Sequence, residues 1–347
     1  MEKRRKLFFA LFLCTMGMII LAILLGGRIL WNCYHAENQK EPVQNTMEVP
    51  DSTDGASAGQ DGQSAPEPEP VLTATPEPTA TPTPLPTPTP EPVPREGLND
   101  LKVQLENQIS GWAGTWSVYV CDLQAEEYMS LNSAPMKAAS LIKLYIMGAV
   151  YQAIEAGTLE ETQEIDSLLN QMITISHNES SNELVRRLSP TGTHEDGMPV
   201  VNAFASQWGF TDTSQGRDLQ DFREVPPPGE NYTSVNDCGH FLEMVYKKEC
   251  VSAEVSEKMT ALLRAQTRTW KIPAGLPQGV GYANKTGELS DVENDVAIVY
   301  GAEAGAKDYV ICVMTGDLTD VGTAQQNIQT LSGMVYEYFR AAASAGQ

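Results

Sequence analysis

Histidine and cysteine are scarce in this chain of 347 residues, and cations are heavily outnumbered. It has 4 His, 6 Cys, and 23 Lys and Arg against 45 Asp and Glu, for a formal net charge of −22. His35, His177, His194 and His240 fall at no spacing that metal ligation uses, so neither a metal nor any other cofactor is expected. The charge excludes bulk attraction to nucleic acid or to an anionic membrane surface, and any anionic ligand must be captured by local cations. Four cysteines lie in the C-terminal part, an even number that permits disulfides without dictating them. Cys238 and Cys250 read as one helix, where twelve residues at ~1.5 Å rise stand about 18 Å apart, beyond bonding. Cys121 and Cys312 fall on strands that could be neighbours, and buried free thiols are the expectation. No internal repeat is present.

What is abundant is strongly segregated along the chain. Residues 1–6 carry Lys3, Arg4, Arg5 and Lys6. A nearly unbroken apolar run from Leu7 to Gly27 follows, about 20 residues, enough to span a ~30 Å hydrocarbon core. It leaves through Arg28-Ile29-Leu30-Trp31 without a small-x-small cleavage site, so 7–31 reads as a retained signal anchor rather than a cleaved signal peptide. Neither Cys14 nor Cys33 has a lipid-attachment context. Residues 32–95 form a linker dominated by Pro, Thr, Glu, Ala, Ser and Gly, with no hydrophobic period and hence no core. Its proline-rich end is expected as extended polyproline II at ~3.1 Å per residue, a stalk that holds a domain off the membrane. Residues 96–347 are the globular domain, long enough to bury a full core and expected to be monomeric.

Within that domain Leu98 to Ile109 reads as a helix, and Trp116 to Asp122 and Glu127 to Leu131 as strands across a short turn. Ser140 to Ala156 is a strongly apolar helix, followed by a helix-rich middle to about Thr269. Val280 to Thr286, Asp295 to Gly301 and Asp308 to Thr315 then read as three strands, and Thr319 to Ala343 as a closing helix. Strands at both ends with helices between imply an α/β (α+β) three-layer domain. Its five-stranded antiparallel sheet is built from both termini and flanked by helices, with a helical subdomain inserted.

Three short motifs carry chemistry. Ser140-Leu141-Ile142-Lys143 places a hydroxyl and an amine three residues apart, on one face of a helix. Ser140 stands at the helix start, where free N–H groups favour a developing oxyanion. Lys143 interrupts an apolar run, and burial there disfavours its charged form, the condition for accepting a proton. Alone, the pair would read as a capping serine and a lysine reaching out to water; the apolar flanks and the two partner motifs reverse that. Ser176-His177-Asn178 offers a second hydroxyl and an amide, and is preferred over Ser130-Leu-Asn132, which precedes the nucleophile in a strand, and over Ser180-Ser-Asn182. Lys285-Thr286-Gly287 is read as ending a strand, with a point charge, a directional donor and a glycine through which a ligand can reach the backbone.

In this order the motifs resemble those of the class A β-lactamase family of serine acyl hydrolases, and more distantly the D,D-peptidases. The segments Asn231-Tyr-Thr-Ser234, Lys271-Ile-Pro-Ala-Gly-Leu-Pro277, Ala283-Asn-Lys-Thr-Gly-Glu-Leu289 and Asn294-Asp-Val-Ala-Ile-Val-Tyr300 follow in family order. The resemblance implies that Ser140 is the nucleophile, Lys143 its proton acceptor and Ser176 the proton relay. Asn178 would orient substrate, and Lys285 and Thr286 would hold a ligand carboxylate beside Gly287. The N–H groups of Glu288 and Ser140 would form the oxyanion hole. Three departures stand out. His177 replaces the family's Asp, the Ser140–Ser176 interval is short, and no Glu-x-x-x-Asn motif for the deacylating base occurs between Leu188 and Tyr232. Asp218, Asp221, Glu224 and Glu230 are the carboxylates there, and Pro226-Pro227-Pro228 implies a loop built differently.

Three functions remain open on this basis. They are a membrane-anchored β-lactamase-like hydrolase, a D,D-carboxypeptidase acting on D-Ala-D-Ala wall peptides, and a penicillin-binding sensor or silent wall-binding module. The single-pass topology, with the N terminus in the cytoplasm and 96–347 outside, has a direct check. Protease added to intact protoplasts should remove the domain and leave a membrane stub. A fully protected domain, or its quantitative release by signal cleavage, would contradict the anchor.

Overall fold

The computed structural model describes residues 95–220 and 229–345. The expected anchor and linker lie outside the described residues, as do Asp221, Glu224 and the triple proline. Among the described residues no helix is long and apolar enough to cross a membrane.

The elements run β1 (Arg95–Glu96), α1 (Asn99–Ile109), β2 (Thr115–Asp122), β3 (Glu127–Leu131), β4 (Met136–Lys137), a 3-10 turn (Ala139–Leu141) and α2 (Ile142–Glu155). There follow α3 (Gln163–Thr174), α4 (Asn178–Leu188), α5 (His194–Gln207), β5 (Tyr232–Thr233), α6 (Val235–Lys247) and α7 (Ala253–Arg264). The chain closes with β6 (Gly281–Leu289), β7 (Val292–Tyr300), β8 (Tyr309–Gly316) and α8 (Val321–Ala345). Strands from both ends form one sheet in the order β1-β3-β2-β8-β7-β6. Its five long strands are antiparallel, as expected, and the two-residue β1 adds a parallel edge against Glu127 and Tyr128. That edge and the small β4–β5 ribbon were not foreseen. Two-residue strands carry too little pattern to be read.

Pleating sends alternate side chains into two cores. Val118, Val120, Ala297, Val299, Ile311 and Val313 pack under α1 and α8 with Leu101, Leu105, Leu331, Val335 and Phe339. Tyr119, Cys121, Val296, Ile298, Val310 and Cys312 face the inserted helices. There α2 buries every residue from Ile142 to Tyr151, which is why its sequence is apolar all round. The polar helix starts are capped: Thr162, Thr193, Ser234 and Ser252 each accept a backbone N–H from the first turn of α3, α5, α6 and α7. Helix α6 docks on the sheet with Gly239 against the Tyr119 ring, and the Tyr119 hydroxyl donates to buried Glu243 at 2.5 Å. Burial pushes that carboxyl above its usual range.

Two expectations need correcting. Cys238 and Cys250 do not share a helix: α6 ends at Lys247, and Lys248 turns the chain with φ 63°. The Lys-Thr-Gly motif lies within β6 rather than at its end, because the strand continues to Leu289 before turning into β7. Cys121, Cys238, Cys250 and Cys312 are all free and buried. Tyr119 stands opposite Cys312 in the β2–β8 register, which sets Cys121 opposite Val310 instead.

Helix α4, whose first turn belongs to the site below, is pressed closely by α5. A Cβ on Gly197 would lie 2.0 Å from the Val185 carbonyl oxygen, a backbone atom that cannot step aside. Gly197→Ala is therefore expected to cost about 1–3 kcal/mol, at roughly 2–4 °C of melting temperature per kcal/mol. A thermal melt indistinguishable from wild type would show that the two helices are not in this contact.

Candidate active site

Four segments converge: the 3-10 turn before α2, the corner between α3 and α4, the edge strand β6, and the chain flanking Asn231. Ser140 is half-buried at the centre of the 3-10 turn. The turn is fixed from outside. Asn294 donates its amide to the carbonyls of Lys137 (3.0 Å) and Ala138 (3.3 Å) and accepts the N–H of Thr315 (2.9 Å). The Ala138 N–H is held by the Asn231 carbonyl at 2.8 Å. Ala139 takes φ 47°, in the left-handed region that non-glycine residues avoid.

Lys143, one turn into the helix, is fully buried. Its Nζ donates to the Ser176 carbonyl at 2.6 Å, to Asn178 Oδ1 at 2.7 Å and to Ser176 Oγ at 3.2 Å. Ser176 is not a helix cap. That position is taken by His177, whose Nδ1 accepts the Ser180 N–H at 3.2 Å, and α4 begins at Asn178. Ser176 sits just outside with φ 61°, a second left-handed corner in the site.

Lys285 reaches the same hydroxyl from β6. It is fully buried, and its Nζ donates to Ser176 Oγ at 2.9 Å and to the Thr286 carbonyl at 2.8 Å. Burial drives its ammonium down to about 7. Ser176 Oγ thus accepts from two amines, which uses both lone pairs and leaves its own proton to be donated elsewhere. Thr286, one residue on, is fully buried, and its hydroxyl favours the charged form of the Glu288 carboxyl. Gly287 faces the nucleophile: a Cβ there would lie 2.9 Å from the Ala138 oxygen and 3.1 Å from the Ser140 nitrogen.

The six residues Ser140, Lys143, Ser176, Asn178, Lys285 and Gly287 are therefore brought together. Glu288 is also present, with a role for its side chain that its sequence position did not reveal. Its Oε1 accepts from Lys271 Nζ at 2.9 Å and its Oε2 from Arg268 Nη1 at 3.0 Å. Burial raises the Glu288 carboxyl, but the charges of Lys271 and Lys285 prevail and hold it below its ordinary range. Lys271 is itself fully buried and also binds Glu293 Oε2 at 2.9 Å. Asp295, opposite Thr286, is buried and pushed up to about 7 by desolvation. It accepts from the Ile272 N–H and the Asn284 amide.

The described chain between α5 and β5 leaves and returns through a narrow neck. Cβ atoms on Gly216 or Gly229 would collide with the backbone of the opposite strand, at 2.5 Å from the Glu230 oxygen and 2.4 Å from the Gly216 oxygen. Asn231 Oδ1 accepts the N–H groups of Gly216 (3.0 Å) and Arg217 (3.1 Å). Asn182 of α4 pairs with the Leu219 backbone both ways, at 2.6 and 2.9 Å. Of the candidate bases, Glu230 is bonded to Arg217 Nε and to the Asn231 N–H, and Asp218 accepts from Gln220. Asn294, Asn182 and Asn231 were missed as positioning residues. Their amides act on backbone groups remote in sequence, and no local pattern announces that.

The fold and this geometry agree with what the chain resembles. The profile of the beta-lactamase enzyme family matches residues 100–167 and 162–339. The chain belongs to that family and is a serine hydrolase of the acyl-enzyme type. Among solved structures, PBP-A superposes with a TM-score of 0.63 at 23% identity, over 72% of this chain and 99% of that one. A point mutant of PBP-A, an acyl-enzyme complex with penicillin G, gives 0.63 at 23%, over 72% and 100%. A β-lactamase from Sphaerobacter thermophilus gives 0.60 at 22%, over 70% and 98%. No curated protein matches the chain.

The tight approach of Gly287 to Ser140 is open to test. Gly287→Ala should push β6 off the 3-10 turn and cut acylation by about 10²-fold or more, the scale of losing an oxyanion donor. Acylation at the wild-type rate would mean that β6 and Ser140 are not in this contact.

Proposed function

We propose that the domain acylates on Ser140, with β-lactams and with D-Ala-D-Ala-type wall peptides as its ligands, outside the cell at the end of a membrane-anchored stalk. The observation that carries this reading is the convergence of Lys143 and Lys285 on Ser176 Oγ, beside the turn that presents Ser140. With Lys143 as the neutral amine, Ser140 Oγ bonds to the ligand carbonyl carbon as its proton passes to Lys143, and an oxyanion forms against the Ser140 and Glu288 N–H groups. The C–N bond then breaks, and the departing nitrogen takes a proton from Ser176, whose hydroxyl is replenished from Lys143. Asn178 orients both ligand and Lys143. Because β6 is the sheet edge, its outer backbone groups can pair with an extended peptide.

Release of the acyl group needs a second base and a positioned water, worth ~10²–10⁴-fold. In the described part of the loop, Glu230 is engaged by Arg217, and Leu219, the residue that Asn182 pins, is apolar and buried. These contacts support slow deacylation, with the penicillin adduct accumulating. They favour the penicillin-binding D,D-peptidase reading over an efficient β-lactamase. In this fold, a PBP-A mutant forms an acyl-enzyme complex with penicillin G.

Intact-mass measurement over time on the purified full chain tests both steps. The chain should gain the mass of one penicillin and clear it slowly, with a product burst equal to enzyme before a slow steady state. Ser140→Ala should gain nothing. Labelling that persists in Ser140→Ala would overturn the nucleophile, and fast turnover without a burst would reveal a deacylating base, with Asp218, Asp221, Glu224 and Glu230 the residues to substitute.

A further inference from the structure

We propose that Lys271 is a positioning residue for the oxyanion hole: by bridging Glu288 and Glu293 across the β6–β7 hairpin, it fixes the direction in which the Glu288 N–H points. The inference rests on the acyl-enzyme reading above and deepens it, assigning the side chain that holds one of the two oxyanion donors in place.

Glu288 stands directly opposite Glu293, and Leu289 opposite Val292 across the two-residue turn of Ser290 and Asp291. In such a hairpin the pair beside the turn exchanges the ladder hydrogen bonds, and in the next pair the backbone groups of both strands point outward. The Glu293 backbone does so. Its N–H donates to Thr315 Oγ1 of β8 at 2.8 Å, and its carbonyl accepts from the same hydroxyl at 2.7 Å. By the same alternation the Glu288 N–H points out over the open edge of the sheet. That edge runs beside the nucleophile, because a Cβ on Gly287, the preceding residue, would lie 3.1 Å from the Ser140 nitrogen.

No ladder hydrogen bond therefore joins the strands at Glu288 and Glu293, and like charges directly opposite push an antiparallel pair apart. Lys271 stands between them. It is fully buried, and its Nζ donates to Glu288 Oε1 and to Glu293 Oε2, each at 2.9 Å. The far side of this bridge is firmly held. The Ile272 N–H, next to Lys271, donates to Asp295 Oδ2 of β7 at 2.9 Å, and the Ile272 carbonyl accepts from Ser332 of α8 at 2.8 Å. The other oxygen of Glu293 accepts from Gln325 of α8 at 3.0 Å. Glu288 belongs to the edge strand, so it is the partner that moves when the bridge is lost. An oxyanion donor must stay within about 0.5 Å of its productive position to act. Two desolvated carboxylates in repulsion, with Cβ atoms roughly 4.5–5.5 Å apart, would carry it further than that.

The test follows acylation of the full chain by intact mass at a series of penicillin concentrations, which separates the limiting rate from the half-saturating concentration. Lys271→Met should lower the limiting rate about tenfold or more, toward the ~10²-fold of a lost oxyanion donor, and leave the half-saturating concentration where it was. Adding Glu293→Gln to Lys271→Met removes the repulsion and should recover part of the rate, since Glu288 then keeps Arg268 but not its tie to β7. A merely structural role for Lys271 would lower the melting temperature without this split or this recovery. A folded Lys271→Met chain with the wild-type limiting rate, a loss confined to half-saturation, or a double variant no faster than the single one overturns the proposal while Ser140 acylation stands. If Lys271→Met alone fails to fold, the double variant decides, and a wild-type limiting rate there is equally fatal. A wild-type chain that penicillin does not label, or a label that persists in Ser140→Ala, overturns the acyl-enzyme reading and this proposal with it.

Discussion

One hydroxyl, Ser176 Oγ, receives hydrogen bonds from two buried lysines, and the architecture of the domain meets at that atom. Lys143 arrives on α2, the helix at the centre of the core that faces the inserted helices. Lys285 arrives on β6, the edge strand of the sheet. Neither amine can be left in an apolar interior without hydrogen-bond partners, so helix, strand and corner must all be in place together. The corner is held against its own preference. A left-handed serine costs on the order of 1–3 kcal/mol and persists only where its surroundings over-determine it. Here the Lys143 bond to the Ser176 carbonyl and the His177 cap on α4 do so from either side.

This dependence explains how much could be read from the sequence. The five long strands, the leading helix and the closing helix were legible within two or three residues, because each presents a period-2 or period-3.6 face to one of two cores. Ser140, Lys143, Ser176, Asn178, Lys285 and Gly287 were legible because their order and residue types are diagnostic together. The direction of Lys285 was not. Its motif reads as the point charge for a ligand carboxylate at a strand end, whereas the structure has it buried within the strand and turned to Ser176 Oγ. The break between α6 and Cys250 escaped for a similar reason, since nothing local marks Lys248 as the residue that reverses the chain. The Arg268–Glu288–Lys271–Glu293 chain of charges was also hidden, since it joins residues from three segments.

The buried thiols show the same economy of means. Cys121 and Cys312 sit on adjacent strands yet opposite other residues, and burial pushes both thiols up, away from the reactive thiolate. Stability comes instead from two apolar cores on one sheet, with capped helices on one side and α1 and α8 on the other.

The neck at Gly216 and Gly229 has a consequence for how such a protein can change. Two glycines pressed backbone to backbone, locked by the Asn231 amide, fix where the loop leaves and rejoins the domain whatever lies between them. Past Leu219, which Asn182 pins and the core buries, length and composition can then drift while the supports of Ser140 and Ser176 stay in place. A lineage could alter the fate of its acyl-enzyme by editing that one segment, keeping the chemistry of attack while exploring the chemistry of release.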